Sequence, residues 1–193
     1  MGGSLSLRNN EPSIYWQLIN RRHFRQPICE VRIPHLKDIK FFKLLRDSLP
    51  SRLLDFWMLL ANYGIHNRSR LGHTDDTRQC HLCDEVETPA HLFTNCSRLS
   101  VLFDIFNDRL QLVCGRKINK SFMSTVYLQE INQLPSDRSI RGNMVYLVGC
   151  YLHAIWTYRN TARHQRNRRQ NMDCSIAVQL FLADTKRFPF DNG

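Results

Sequence analysis

The chain has 193 residues, 42% of them hydrophobic and 23% charged, which suits one ordinary globular domain and excludes wholesale disorder and fibrous repeats. Its 27 basic residues outnumber 17 acidic ones, and the net charge of +10 favours polyanionic partners such as RNA or DNA. No stretch approaches the ~18 uninterrupted apolar residues of a membrane span, and the start lacks a signal-peptide run, so the expected setting is intracellular, nuclear or cytoplasmic, with no membrane partner.

Residues 1–36 are basic and broken by Pro12, Pro27 and Pro34, the pattern of a linker-like lead-in with one short helix over Ser13 to Arg22. From Asp38, Ile39, Phe42, Leu45 and Leu49 recur at helical spacing until Pro50 ends the run. Ser51 suits the N-cap of a second helix carrying Leu53, Leu54, Trp57, Leu60 and Ala61, with Gly64 as its stop. After the polar loop 66–79 and a cysteine cluster, two amphipathic helices are predicted. One spans Ser97 to Leu110 with Val101, Leu102, Ile105 and Phe106, the other Ser121 to Gln133 with Phe122, Val126, Tyr127 and Ile131. The longest periodic segment runs from Ile140 to His164, with Met144, Leu147, Val148, Tyr151, Leu152, Ile155 and Tyr158 on one face. A last helix starts at Asp173 and continues through Ile176, Leu180 and Phe181. Strand-like alternation is scarce. The predicted class is therefore mostly α, a helical domain with a small zinc knuckle and β structure confined to a short hairpin at the cysteines. The chain is divided into the lead-in 1–36, a zinc-binding domain 37–110, and a helical extension 111–193 with a basic stretch.

Seven cysteines, an odd number, in a chain without an export signal point to reduced thiols or metal ligands rather than a disulfide framework. Cys80, Cys83, His91 and Cys96 follow the spacing C-x2-C-x7-H-x4-C. Three thiolates and an imidazole in one short segment complete a tetrahedral shell, so the expected cofactor is one structural Zn2+ per chain. A C-x2-C turn pairs two sulfurs, and Thr88-Pro89 can start a helix that presents His91. With four protein ligands no position remains for an activated water, which argues against a catalytic metal. His81, between two ligands, is expected to face solvent, and Cys29, Cys114, Cys150 and Cys174 read as core filler. His73-Thr74-Asp75-Asp76 has adjacent carboxylates, but it lacks the flanking apolar strands that would aim them at magnesium and reads as a solvated loop. No polymerase, endonuclease or RNase H carboxylate set is recognised, so no enzyme activity is expected.

Leu49-Pro50-Ser51-Arg52-Leu53 leads into Phe56-Trp57-Met58-Leu59-Leu60, then Gly64-Ile65 and Arg70-Leu71. Cys80-x-x-Cys83 and Glu87-Thr88-x-x-His91-Leu92-Phe93-x-x-Cys96 follow, with Ala154-Ile155-Trp156-x-x-Arg159-Asn160 further on. Taken together, residues 38–165 resemble the zinc-binding domain that follows the reverse transcriptase of LINE-type non-LTR retrotransposons. The chain departs from that family at His81, where proline is usual, and at Leu102-Phe103, where a tryptophan is common. The resemblance implies a non-catalytic domain that assists RNA or DNA binding in target-primed reverse transcription, with a reverse transcriptase polypeptide as a further partner. The competing reading is a zinc-stabilised protein-interaction module whose apolar face over 140–158 docks on a polymerase or another protein.

Asp84, Glu85 and Glu87 lie between the outer cysteines with no Lys or Arg, so the knuckle is locally acidic. Positive charge collects instead at Arg159, Arg163, Arg166, Arg168 and Arg169, within a stretch that has no carboxylate from Arg138 to Met172. Arg159, Arg163 and Arg166 would share one face of a continuing helix. These five arginines are the candidate nucleic-acid contacts, and a solvated helix end whose cations favour the C-terminal dipole stands beside that reading. Arg21, Arg22 and Arg25 form a second cluster, and Trp156 and Tyr158 read as core.

Overall fold

Pro50 sets the first corner of the chain. Helix α1 spans Ile39–Ser48 and α2 spans Ser51–Ala61, and the Pro50 carbonyl accepts from Leu53 and Leu54 N–H at 3.0 Å each. Pro50 rather than Ser51 thus occupies the capping position: a proline cannot continue α1, while its carbonyl is free to open α2. The computed structural model describes residues 39–61, 65, 79–126, 128, 136–164 and 173–186. All belong to the larger of two units, 33–193, into which the chain divides after Arg32. The expected lead-in helix, the cluster at Arg21, Arg22 and Arg25, the Gly64 stop and the loop holding Asp75 and Asp76 lie outside the described residues.

After the cysteine segment, a π-helical turn His91–Asn95 and a 3₁₀ turn Ser97–Leu99 lead into α3, Ser100–Cys114. Gly115 closes α3 in the left-handed region at φ 68°, where only glycine is unstrained, and its N–H returns to the Gln111 carbonyl. The helix passes through residue 110, so the boundary drawn there falls inside one element, and residues on both sides of it share one core. Helix α4 covers Phe122–Val126, and the rest of its predicted reach, including Tyr127 and Ile131, lies outside the described residues apart from Leu128. Trp57 Nε1 donates to the Val126 carbonyl at 2.8 Å, taking an acceptor that a longer helix would use, and Leu128 turns left-handed at φ 48°.

The central element is α5, Arg138–His164, whose 27 residues span about 40 Å. Asp137 Oδ1 accepts from Ser139 and Ile140 N–H at 2.7 and 3.2 Å, a cap that fixes the start of α5. All seven apolar positions read from its periodicity are buried, and Val145, Cys150, Ala154 and Ala162 join them. The helix packs against α1, α2, α3, α4, the π turn and α6, Ser175–Thr185. Its apolar face is consequently consumed by the protein's own fold, which corrects the expectation that the face over 140–158 is available to a partner. Cys114 and Cys150 are buried core fillers as expected, while Cys174 is half-buried and Cys29 lies outside the described residues. Among the described residues β structure reduces to one antiparallel bridge between Gln79 and Val86.

Candidate metal centre

The C-x2-C segment is shaped by that bridge. Cys80 N–H donates to the Glu85 carbonyl at 2.7 Å, pinching the loop, and Leu82 N–H points at Cys80 Sγ at 3.4 Å. Thr88 then starts a helical turn as predicted: its hydroxyl accepts from His91 N–H at 3.0 Å, with Pro89 in the first helical position where its missing N–H costs nothing. The turn widens at once, because Cys96 N–H donates to the His91 carbonyl five residues back at 2.7 Å. Positions five apart on an α-helix diverge by roughly 140° at its usual pitch, and the wider π turn returns them toward one face. His91 and Cys96 can then converge on the cysteine pair.

The four predicted donors do converge, with ligand atoms all within 4.8 Å of one another. Cys83 Sγ lies 3.2 Å from His91 Nε2 and 3.9 Å from Cys96 Sγ. A tetrahedral ion with metal–sulfur bonds of ~2.3 Å holds sulfurs about 3.7 Å apart, so the cluster is already near the spacing such an ion requires. Cys80, His91 and Cys96 are buried and Cys83 is half-buried. His91 Nδ1 sits 3.0 Å from Glu85 Oε2, an arrangement that places the proton on Nδ1 and leaves Nε2 as the donor facing the sulfurs. The Cys80 thiol is drawn down to about 6, chiefly by the Cys96 thiol beside it and then by backbone N–H groups, against the opposing effect of burial. Cys96 is pushed up by that same contact and by burial, and Cys83 is raised mainly by burial. The soft donor set can hold a metal ion. His81 is half-buried rather than solvent-facing and takes no part in the donor set.

Arg159 is the main correction to the sequence reading. It is 1% exposed and its Nε donates to Glu87 Oε2 at 3.1 Å, while Nη2 donates to Glu87 Oε1. Nη1 reaches Asn160 Oδ1 at 3.0 Å, and the guanidinium lies 5.1 Å from the centre of the Trp156 ring. A charge so enclosed cannot meet a phosphate, so Arg159 leaves the set of candidate nucleic-acid contacts. Arg163 is exposed as expected, and Arg166, Arg168 and Arg169 lie outside the described residues. Glu87 likewise leaves the acidic surface of the knuckle, since it is fully buried, and only Asp84 and Glu85 remain exposed there. A second tie was not anticipated: Tyr151, buried in α5, donates its hydroxyl to the Phe93 carbonyl at 2.9 Å. Both ties join residues far apart in sequence, which helical periodicity does not reveal. No protein family, curated protein or solved structure matches the chain.

Proposed function

We propose that Cys80, Cys83, His91 and Cys96 hold one structural zinc ion, and that the helical domain it braces assists the binding of RNA or DNA. In this reading the chain acts in the manner of the zinc-binding domains that follow non-LTR reverse transcriptases, within target-primed reverse transcription, and a reverse transcriptase polypeptide is its further partner. The observation that carries the metal reading is the convergence of three sulfurs and His91 Nε2, with Glu85 holding the other ring nitrogen. Thiolates and imidazole in a tetrahedral set suit zinc, and four protein donors leave no position for a reactive water, so the role is structural and non-catalytic. The net charge of +10 supports the polyanion part of the reading.

Metal analysis of the purified chain tests the first part: about one equivalent of zinc is expected, falling in Cys83→Ser together with stability, because binding energy at such sites is folding energy. Full occupancy in that variant overturns the assignment. A second reading, the protein-interaction module, is favoured by a different surface. Val101 is exposed and lines an open cleft of about 420 Å³ together with Asp173, Cys174, Ser175, Val178 and Gln179. Binding through phosphates weakens steeply with added salt, whereas docking on that apolar surface does not.

A further inference from the structure

We infer that Arg159 and Glu87 are positioning residues of the metal centre, holding the loop between the two halves of its donor set against α5. The inference rests on the reading of the four donors as a metal site. Glu87 is four residues past Cys83 and four before His91, at the midpoint of the longest gap between donors. Its carboxylate is fully buried and gripped through both oxygens by the guanidinium fork of Arg159. The fork is itself held by Asn160 and by the Trp156 ring.

The grip is one of two from the same helix. Tyr151 holds the carbonyl of Phe93, in the shorter gap between His91 and Cys96. Tyr151 and Arg159 are eight residues apart on α5, about 12 Å along its axis. One rigid helix thus fixes the chain on either side of His91, the donor that must span the two halves.

An ion pair at this place is better understood through geometry than through stability. Exchanging a buried pair for apolar groups of similar size is often neutral or stabilising, because both charges must be stripped of water. A two-pronged guanidinium–carboxylate contact, by contrast, admits one orientation, which a greasy contact does not enforce. The pair sets where the loop lies, and so where His91 stands relative to Cys80 and Cys83. Outer groups that orient metal ligands typically change metal affinity 10–100-fold when removed.

The double variant Glu87→Gln/Arg159→Met in the full chain removes both charges and leaves none buried alone. Zinc affinity is measured by chelator competition, Co2+ binding by its visible absorption, and helix content by circular dichroism. The expected result is near-native helix content with metal affinity roughly 10–100-fold weaker and a shifted Co2+ spectrum. Arg159→Lys, which keeps the charge without the fork, shows the same loss in direction and serves if the double variant fails to fold. Gly149→Val, a packing change elsewhere on α5, leaves the Co2+ spectrum of its folded fraction unchanged. Wild-type affinity and spectrum in the double variant, or in folded Arg159→Lys, overturn the positioning role while leaving the metal reading intact. A wild-type chain that binds neither metal overturns both.

Discussion

His91 and His153 show how one residue type takes two roles from its surroundings. His91 has a carboxylate on Nδ1 and a sulfur facing Nε2, the two-sided setting of a metal ligand. His153 lies under Phe56, edge to face at 5.7 Å, between Asp184 of α6 at 3.4 Å and Arg52 of α2, which itself reaches Asp184 at 3.1 Å. Burial and then the Arg52 charge hold His153 below its ordinary range, and Asp184 only partly opposes them. The folded chain therefore keeps this ring neutral at pH values where the unfolded chain takes up a proton. Its contribution to stability is complete above the unfolded pKa of about 6.5 and is lost as the pH falls below it. Urea midpoints measured between pH 7.5 and 5.5 should accordingly decline less in His153→Gln than in the native chain, and an identical decline would place the acid sensitivity elsewhere.

The elements are arranged by what α5 can admit at each level. At Gly149 an added Cβ would meet Leu49 Cδ2 at 3.0 Å, Leu53 Cδ1 at 3.6 Å and the Trp57 ring at 3.7 Å, so the corner between α1 and α2 sits against bare backbone. A glycine in mid-helix costs about 1 kcal/mol relative to alanine, and here it permits that close approach. Gly149→Val forces the corner outward and should destabilise the chain by roughly 1–3 kcal/mol, read as a lowered denaturant midpoint at an unchanged slope. An unchanged midpoint would mean that the corner can shift freely. The existence of α1, α2, α3, α5 and α6 was legible because each repeats apolar residues at the helical period, and every position read on the apolar face of α5 is buried, whereas Val101 of α3 and Ile176 of α6, also read as apolar-face positions, are exposed. The turn after α4 was not legible, because Leu128 adopts a left-handed φ that its residue type does not announce, and the Trp57 bond to the Val126 carbonyl comes from 69 residues away. Likewise the four donors were legible because their spacing is local, while the π turn that aims two of them exists only as a backbone bond between His91 and Cys96. The Glu87–Arg159 pair spans 72 residues, and on sequence alone its partners looked like an acidic surface and a basic one.

For the molecule as a whole, burial separates charges that structure the fold from charges that can meet a polyanion. Arg159 and Glu87 cancel inside the protein, leaving Arg163 exposed at the end of α5 and Asp84 and Glu85 exposed on the knuckle. On the proposed function, zinc with three thiolates would add a formal charge of about −1 beside those carboxylates, so phosphates would be repelled from the knuckle and drawn toward the arginines that follow α5. Two kinds of arginine variant should then behave differently. Replacing Arg163, Arg166 and Arg169 by Gln should weaken binding to unrelated oligonucleotides alike and flatten the dependence on salt by about 0.9 logarithmic units per lost duplex phosphate contact, with zinc content unchanged. Arg159→Gln should instead lower stability and metal affinity, because it takes the guanidinium away from the buried Glu87 carboxylate, and the salt slope of its folded fraction should match that of the native chain. Titrations at several salt concentrations, run beside metal analysis, separate the two. A triple variant that binds with native affinity and slope, while substitutions at Asp84 and Glu85 abolish binding with zinc retained, would make the knuckle the phosphate-contacting surface despite its charge.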